Sequence, residues 1–244
     1  MQQPIILSSY DGGKLGANLD EAVSRIEASA QYKDLSTVII VPALASVPTK
    51  VVASWLNLIM PPNQKIARLF AVGMEVGEAY SRTIQAVVDH PELSTWKYML
   101  TLEHDNIPPQ DGLLKLLARM ESNEGKDYAA IGGLYFTKGE GGVPQIWGDT
   151  KSFPLNFRPQ RPDPAGNLVE CCGTGMGFTL FRLSVFKDEK LRRPWFKTAA
   201  STTEGITSQD LYFWTDARKV GGYRCAIDCS VKIGHLDLST DIVW

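Results

Sequence analysis

The feature that most restricts the fold of this chain is an alternation of short β-branched runs with amphipathic stretches, sustained from residue 37 to residue 120. Thr37 to Val41 (TVIIV) is apolar on both sides of an extended chain, the pattern of a strand buried within a parallel sheet. Pro42 stops it, and Pro48-Thr49 opens a helix on which Val51, Trp55 and Leu58 share a face. After the Pro61-Pro62-Asn63 turn a second strand is predicted over Ile66 to Val72. Val76, Tyr80, Ile84, Val87 and Val88 then recur at helical spacing as far as His90. Tyr98 to Glu103 (YMLTLE) reads as a third buried strand. Pro108-Pro109 ends it, and Leu113, Leu116, Leu117 and Met120 mark a further helix. Strand and helix in strict alternation imply right-handed crossovers, and so an α/β fold built on a mostly parallel sheet flanked by helices.

The second half changes character. Tyr128 to Tyr135 supplies another strand, but residues 137 to 170 are rich in Gly, Pro and Trp and read as a long irregular excursion. Loops of that length inside compact domains are usually functional. The chain returns with a strand over Gly177 to Phe181, a helix over Thr207 to Val220, and two short strands, Tyr223 to Ile227 and Ser230 to Ile233. Residues 1 to 35 form an N-terminal extension, with a helix expected from Glu21 to Tyr32. Residues 36 to 244 are then one domain, with a front half, 36 to 107, and a rear half, 108 to 244.

Composition narrows the partners. Twenty-five basic against twenty-seven acidic residues leave no basic excess of the kind that drives duplex-DNA binding. Arg192, Arg193 and Lys197 keep a nucleic-acid partner open. The most apolar stretch, Val51 to Met60, is about half the roughly 20 residues of a membrane span. No basic start with an apolar run marks a signal peptide, so a cytoplasmic protein is expected. Cys171, Cys172, Cys225 and Cys229 lack zinc-site spacing and read as reduced packing residues.

Glu103-His104-Asp105 is where chemistry is first legible: nowhere else in the chain do two carboxylates flank one residue. It ends a predicted buried strand, at the sheet edge where α/β proteins bind ligands. On an extended chain Glu103 and Asp105 face one side and His104 the other. Paired carboxylates at a crevice suit Mg²⁺ or Mn²⁺ shared with phosphate oxygens, although such a triplet also fits a solvated strand end. Gly234-His235-Leu236 follows a β-branched run, where a histidine is as readily structural as ligating. Ser208-Gln209-Asp210 opens a helix, where Asp is equally a cap. Cys172-Gly173-Thr174-Gly175-Met176-Gly177 permits close backbone approach to a ligand or a tight bend.

In order and spacing these stretches resemble the GT-A glycosyltransferases, particularly the family 2-like group. There a DxD-type motif ends a strand, a Gly-Thr-Gly segment leads to a helix opening with Glu-Asp, and a Gly-His pair follows. Here they read LTLEHDNIPP, CCGTGMGFTLFR, SQDLYFWTDARKVGGYRCAIDCSV and KIGHL, with GMEVGEAYSRTIQAV similar to the family's Ala-Arg-Asn helix. The resemblance spans about residues 37 to 237 and implies a Rossmann-like GT-A fold, with 36 to 107 the nucleotide-binding half and 108 to 244 the acceptor-binding half, and a nucleotide-diphospho-sugar donor (a UDP- or GDP-sugar). It further implies Mn²⁺ or Mg²⁺ held by Asp105, Glu103 and His235, and Asp210 as general base in an inverting transfer. Pro42, Ala43 and Arg82 would serve the nucleotide with Glu103 and Asp105. Gly173, Thr174, Gly175, Gln209 and Trp147 would serve the acceptor or sugar. Among the aromatic residues Trp147, Tyr135, Trp195 and Trp214, an aromatic face could pack on a pyranose; Trp147 and Trp195, in Pro-rich irregular segments, are the better candidates, and Trp214, mid-helix, reads as core. Two departures stand out: Glu103 replaces the first Asp, and Gln209 the usual Glu. A sugar-1-phosphate nucleotidyltransferase is disfavoured, because Pro42-Ala43-Leu44-Ala45-Ser46 carries neither glycine nor base for a triphosphate. A non-catalytic nucleotide- or carbohydrate-binding domain is the other alternative.

Overall fold

The computed structural model describes residues 5–8, 33–151, 156–201 and 205–244. The expected helix over 21–32 lies outside the described residues. In chain order the front half runs β1 (Ile5–Ser8), β2 (Thr37–Ala43), α1 (Thr49–Asn57), β3 (Ile66–Val72), α2 (Val76–Asp89), β4 (Tyr98–Leu102), β5 (Asn106–Ile107) and α3 (Gly112–Glu121). The rear half adds β6 (Ala130–Leu134), β7 (Ile146–Trp147), β8 (Leu168–Cys171), β9 (Gly173–Thr174), β10 (Phe178–Arg182), β11 (Ala199–Ser201), β12 (Gly205–Thr207), α4 (Gln209–Lys219), β13 (Cys225–Lys232) and β14 (Gly234–His235).

Eight strands share one sheet in the order β1-β3-β2-β4-β10-β6-β13-β8. Every residue of β2 is buried, as the unbroken TVIIV run requires, and it pairs in parallel with β3 and β4 on either side. The β3 residues alternate between buried and half-buried, so one of its faces is less completely covered. Beyond residue 120 the pairing turns mixed. β10 enters antiparallel to both β4 and β6, β13 runs parallel to β6, and β8 closes the edge antiparallel to β13. β2, β3, β4, β6 and β13 therefore run one way, with β1, β8 and β10 against them.

Two short strands were expected near the C-terminus, and a single one, β13, is found. Its register shifts after Asp228, whose Oδ1 accepts both the backbone N–H and the hydroxyl of Ser230 at 2.9 and 2.6 Å. That local bond kinks the strand without ending it, as a bulge does. Among its described residues the excursion over 137 to 170 is mostly irregular, holding β7 and the start of β8.

Helices cover both faces. The apolar stripes of α2 (Tyr80, Ile84, Val87) and α4 (Phe213, Trp214, Ala217) pack on one side, and that of α3 (Leu113, Leu116, Leu117, Met120) with α1 on the other. The α4 side is dominated by aromatic rings. Phe196 stacks on Phe213 at 4.7 Å between centroids, and Phe181 on Trp214 at 5.8 Å, with Phe213 and Trp214 edge to face at 5.0 Å. Among the described residues no helix is long and apolar enough to cross a membrane.

Phe213 joins α4 to β10 and to the segment that carries Phe196, so Phe213→Ala removes a ring from a packed interior. The expected loss is about 3–5 kcal/mol of unfolding free energy, read by urea denaturation. A loss within about 0.5 kcal/mol, the range of an ordinary surface substitution, contradicts this account of the core.

Candidate functional site

The carboxyl ends of β2 and β4 open on one cleft of 320 Å³, near the lower end of the range of about 300–1,000 Å³ typical of ligand pockets. Pro42, Ala43 and Leu44 line it from the end of β2, Met74 and Val76 from the start of α2, Glu103, His104 and Asp105 from the end of β4, and Gln209 from the start of α4. A larger groove of 480 Å³ lies between α1 and the β2–β3 face. Its lining is apolar apart from Arg68, so it lacks the converging polar groups of the smaller cleft.

After Leu102 the chain does not stay extended. The Asn106 N–H donates to the Glu103 carbonyl at 3.2 Å, making a turn, and all three residues of the triplet line the cleft. The extended alternation expected across Glu103, His104 and Asp105 thus gives way to a turn. The turn leads directly into β5, which pairs with β14: His235 lies opposite Asn106, and Gly234 opposite Ile107. One further bond, from the Leu236 N–H to the Asp105 carbonyl at 2.7 Å, brings the Gly-His segment against the acidic triplet.

Side chains meet there. The Asp105 carboxylate has Lys138 Nζ at 2.6 Å and His235 Nε2 at 3.5 Å, both on Oδ2. Burial works to raise its pKa, yet the His235 ring and the Lys138 ammonium outweigh it and hold Asp105 well below the usual carboxylate range. His235 Nδ1 lies 2.7 Å from the Phe136 carbonyl, which only accepts, so Nδ1 carries a proton. The Nε2 side then faces Asp105 either as N–H of an imidazolium or as a lone pair. In the neutral ring two electron-pair donors converge, which fits a divalent cation, and a backbone carbonyl fixing the tautomer is the usual support for a metal-binding histidine. Among the described residues no third His, Cys, Asp or Glu completes a metal-holding group. A dication held by Asp105 and His235 must fill its shell with phosphate and water, as Mg²⁺ commonly does.

Glu103 is differently placed from the metal role expected of it. Its Oε1 accepts the Tyr80 hydroxyl at 3.1 Å, and Tyr80, fully buried on α2, also lies 3.3 Å from the Met176 carbonyl. Burial, with the nearby charges of Asp105 and Asp210, pushes Glu103 up to about 8. Tyr80 and Tyr135 are raised well above their ordinary value by burial and by Glu103. Asp210, buried at the start of α4, is raised by burial against the lowering bonds from Ser208 and the Leu211 N–H. Both of those donors go to Oδ1.

Several expected residues sit elsewhere. Arg82 is well exposed on α2 and pairs with Glu78 one turn back at 2.8 Å, so the helix turns it away from the cleft that Val76 lines. Gly173, Thr174 and Gly175 are buried and serve packing. A Cβ on Gly173 would meet the Trp214 ring at 3.0 Å, and one on Gly175 the Tyr135 hydroxyl at 2.1 Å. The Thr174 carbonyl accepts Trp214 Nε1 at 3.1 Å. Trp195 is buried edge-on against Phe186, which removes it as a platform. Trp147 keeps a half-buried ring, its Nε1 donating to Gln145 at 3.0 Å. Tyr135, a candidate platform by sequence, is buried, its hydroxyl accepting the Gly177 N–H at 3.0 Å. Tyr80 and Lys138 were not anticipated. Tyr80 reads as one more apolar position on a helical stripe, and Lys138 as a solvated loop charge.

No family model matches the sequence, and no curated protein does either. Among solved structures the chain is similar to one described as the crystal structure of A197 from STIV, at 16% identity and a TM-score of 0.56, over 83% of this chain and 86% of that one. A likeness at that identity speaks to the fold, an α/β sheet flanked by helices, and not to an activity.

A carboxyl with a raised folded-state pKa keeps its proton after the unfolded chain has released it, so the fold loses stability as pH climbs from the ordinary carboxyl range toward 8. Glu103→Gln removes that exchange. Urea denaturation between about pH 5 and about pH 8 is expected to show wild-type stability falling more steeply than that of the variant. Parallel profiles contradict an ionisable Glu103 enclosed beside Asp105 and Asp210.

Proposed function

We propose that the chain is a glycosyltransferase of the GT-A type, with residues 36 to 244 as one catalytic domain. It takes a sugar from a UDP- or GDP-sugar and passes it, with inversion, to an acceptor. The observation that carries this reading is the crevice at the strand ends lined by Glu103, Asp105 and Gln209, with His235 against Asp105 and Asp210 buried close enough for its charge to act on Glu103. These residues come from three distant stretches of sequence, and their convergence is what the resemblance requires.

Each residue has a task. Pro42 and Ala43 form the wall against which the nucleoside lies. Asp105 and His235 are the residues that would hold Mn²⁺ or Mg²⁺, and such a dication would supply charge neutralisation for the departing nucleoside diphosphate. Glu103, kept largely protonated by its surroundings, braces the site through Tyr80 rather than adding a second full negative charge beside Asp105. Asp210 takes the acceptor proton. Its Oδ1 accepts from the Ser208 hydroxyl and the Leu211 N–H, and burial makes the carboxylate a stronger base than an exposed one. Gln209 lines the cleft beside it without adding charge, and the half-buried Trp147 ring offers an apolar face to a pyranose.

Thermal melting with UDP, GDP and their sugars tests the reading directly, since a ligand that binds the native state raises the melting temperature. Stabilisation is expected with Mn²⁺ present and is lost in Asp105→Ala and His235→Ala. With the stabilising donor in hand, Asp210→Asn is expected to keep donor binding while transfer falls by about 10²–10⁴-fold. Absence of any nucleotide effect on the wild-type protein overturns the proposal, as does full transfer by Asp105→Ala.

A further inference from the structure

The Lys138 ammonium occupies the position where a metal would be expected. Its Nζ lies 2.6 Å from Asp105 Oδ2, the same oxygen that faces His235 Nε2 at 3.5 Å, and its charge acts on Glu103 and Asp237 as well. The residue sits on a hairpin whose base is firmly tied. Phe136 bridges to Pro144, and Thr137 N–H donates to the Val143 carbonyl at 2.9 Å, with the Val143 N–H returning a bond to the Thr137 hydroxyl at 2.9 Å. The Phe136 carbonyl at that base is the one that orients His235. Toward the tip, Gly139 and Gly141 take left-handed φ values of 97° and 74°, with open space where side chains would stand. Lys138 therefore has a fixed root and a partly exposed head, 30% accessible to solvent, on a flexible four-carbon stem.

An ammonium and a dication cannot both sit against one carboxylate oxygen without strong mutual repulsion. We propose that Lys138 is a displaceable counter-ion. It neutralises Asp105 when no dication is bound, and it yields that oxygen when metal enters between Asp105 and His235. Its ammonium then turns to the phosphates of the incoming nucleotide. Metal and nucleoside diphosphate thus bind cooperatively, each better in the presence of the other, and the site resists taking up metal alone. This rests on the donor reading above, which supplies the diphosphate to which Lys138 moves.

Mn²⁺ titrations followed by the electron paramagnetic resonance signal of the free ion test the inference without any assay of transfer. Wild type is expected to bind Mn²⁺ weakly alone and more tightly with UDP or GDP. Lys138→Met is expected to bind Mn²⁺ alone about fivefold more tightly, the scale of losing one partly exposed ion pair, and to lose most of the nucleotide-dependent gain. Asp105→Asn serves as the reference without a carboxylate and is expected to bind least. If Lys138→Met binds Mn²⁺ no better than wild type, the counter-ion role is overturned, even where UDP or GDP still stabilises both proteins and the donor reading stands. If Lys138→Met gains Mn²⁺ affinity while neither nucleotide binds any variant, the counter-ion competition holds. The donor reading, and with it the hand-over to phosphate, then fails.

Discussion

The short ladder between β5 and β14 holds the site together. It pairs His235 with Asn106 and Gly234 with Ile107, and with the bond from Leu236 to the Asp105 carbonyl it ties a C-terminal segment to the end of a central strand. The fit is close on both sides. A Cβ on Gly234 would come within 2.6 Å of Val243, and one on Gly177 within 2.6 Å of the buried Asn106 carboxamide, so glycine at each point lets the strands approach. Without that ladder Asp105 would end a strand in isolation and His235 would lie on a terminal tail.

Around this frame the protein separates two carboxyl groups that are two residues apart. Burial beside Asp105 and Asp210 drives Glu103 upward, whereas a lysine and a histidine drive Asp105 downward. One therefore behaves as a hydrogen-bonding group and the other as a fixed negative charge, the kind of division by environment that lets neighbouring acids take different tasks. Asp105 keeps its charge because the Lys138 ammonium and the His235 ring lie against it. Those same groups make its oxygen a contested position.

Much of the sheet was legible in the sequence because buried strands and amphipathic helices impose local patterns. The TVIIV run, the IARLFAV strand and the Leu113–Met120 stripe each carry their structural assignment within a few residues. The mixed pairing of the rear half was not legible, since β10 reaches its place between β4 and β6 by long-range contacts that leave no periodic trace. In the site, Asp105 and His235 were readable as chemistry-bearing types at strand ends. The glycines of Gly173-Thr174-Gly175 were misread as ligand-facing because a glycine admitting a tryptophan or tyrosine ring looks the same in sequence as one admitting a sugar. Tyr80 was hidden inside a hydrophobic stripe, and Lys138 inside a polar loop, because each gains its meaning from a partner far along the chain.

The central claim is that Asp105 and His235 form one half of a cation site whose other half is a nucleoside diphosphate. Crystals grown with Mn²⁺ and UDP or GDP, with diffraction recorded at the manganese absorption edge, test it most directly. An anomalous peak between Asp105 Oδ2 and His235 Nε2, in contact with the diphosphate and with Lys138 drawn off Asp105, is the predicted result. Nucleotide bound with no manganese at that point, or manganese held by other residues, contradicts the account.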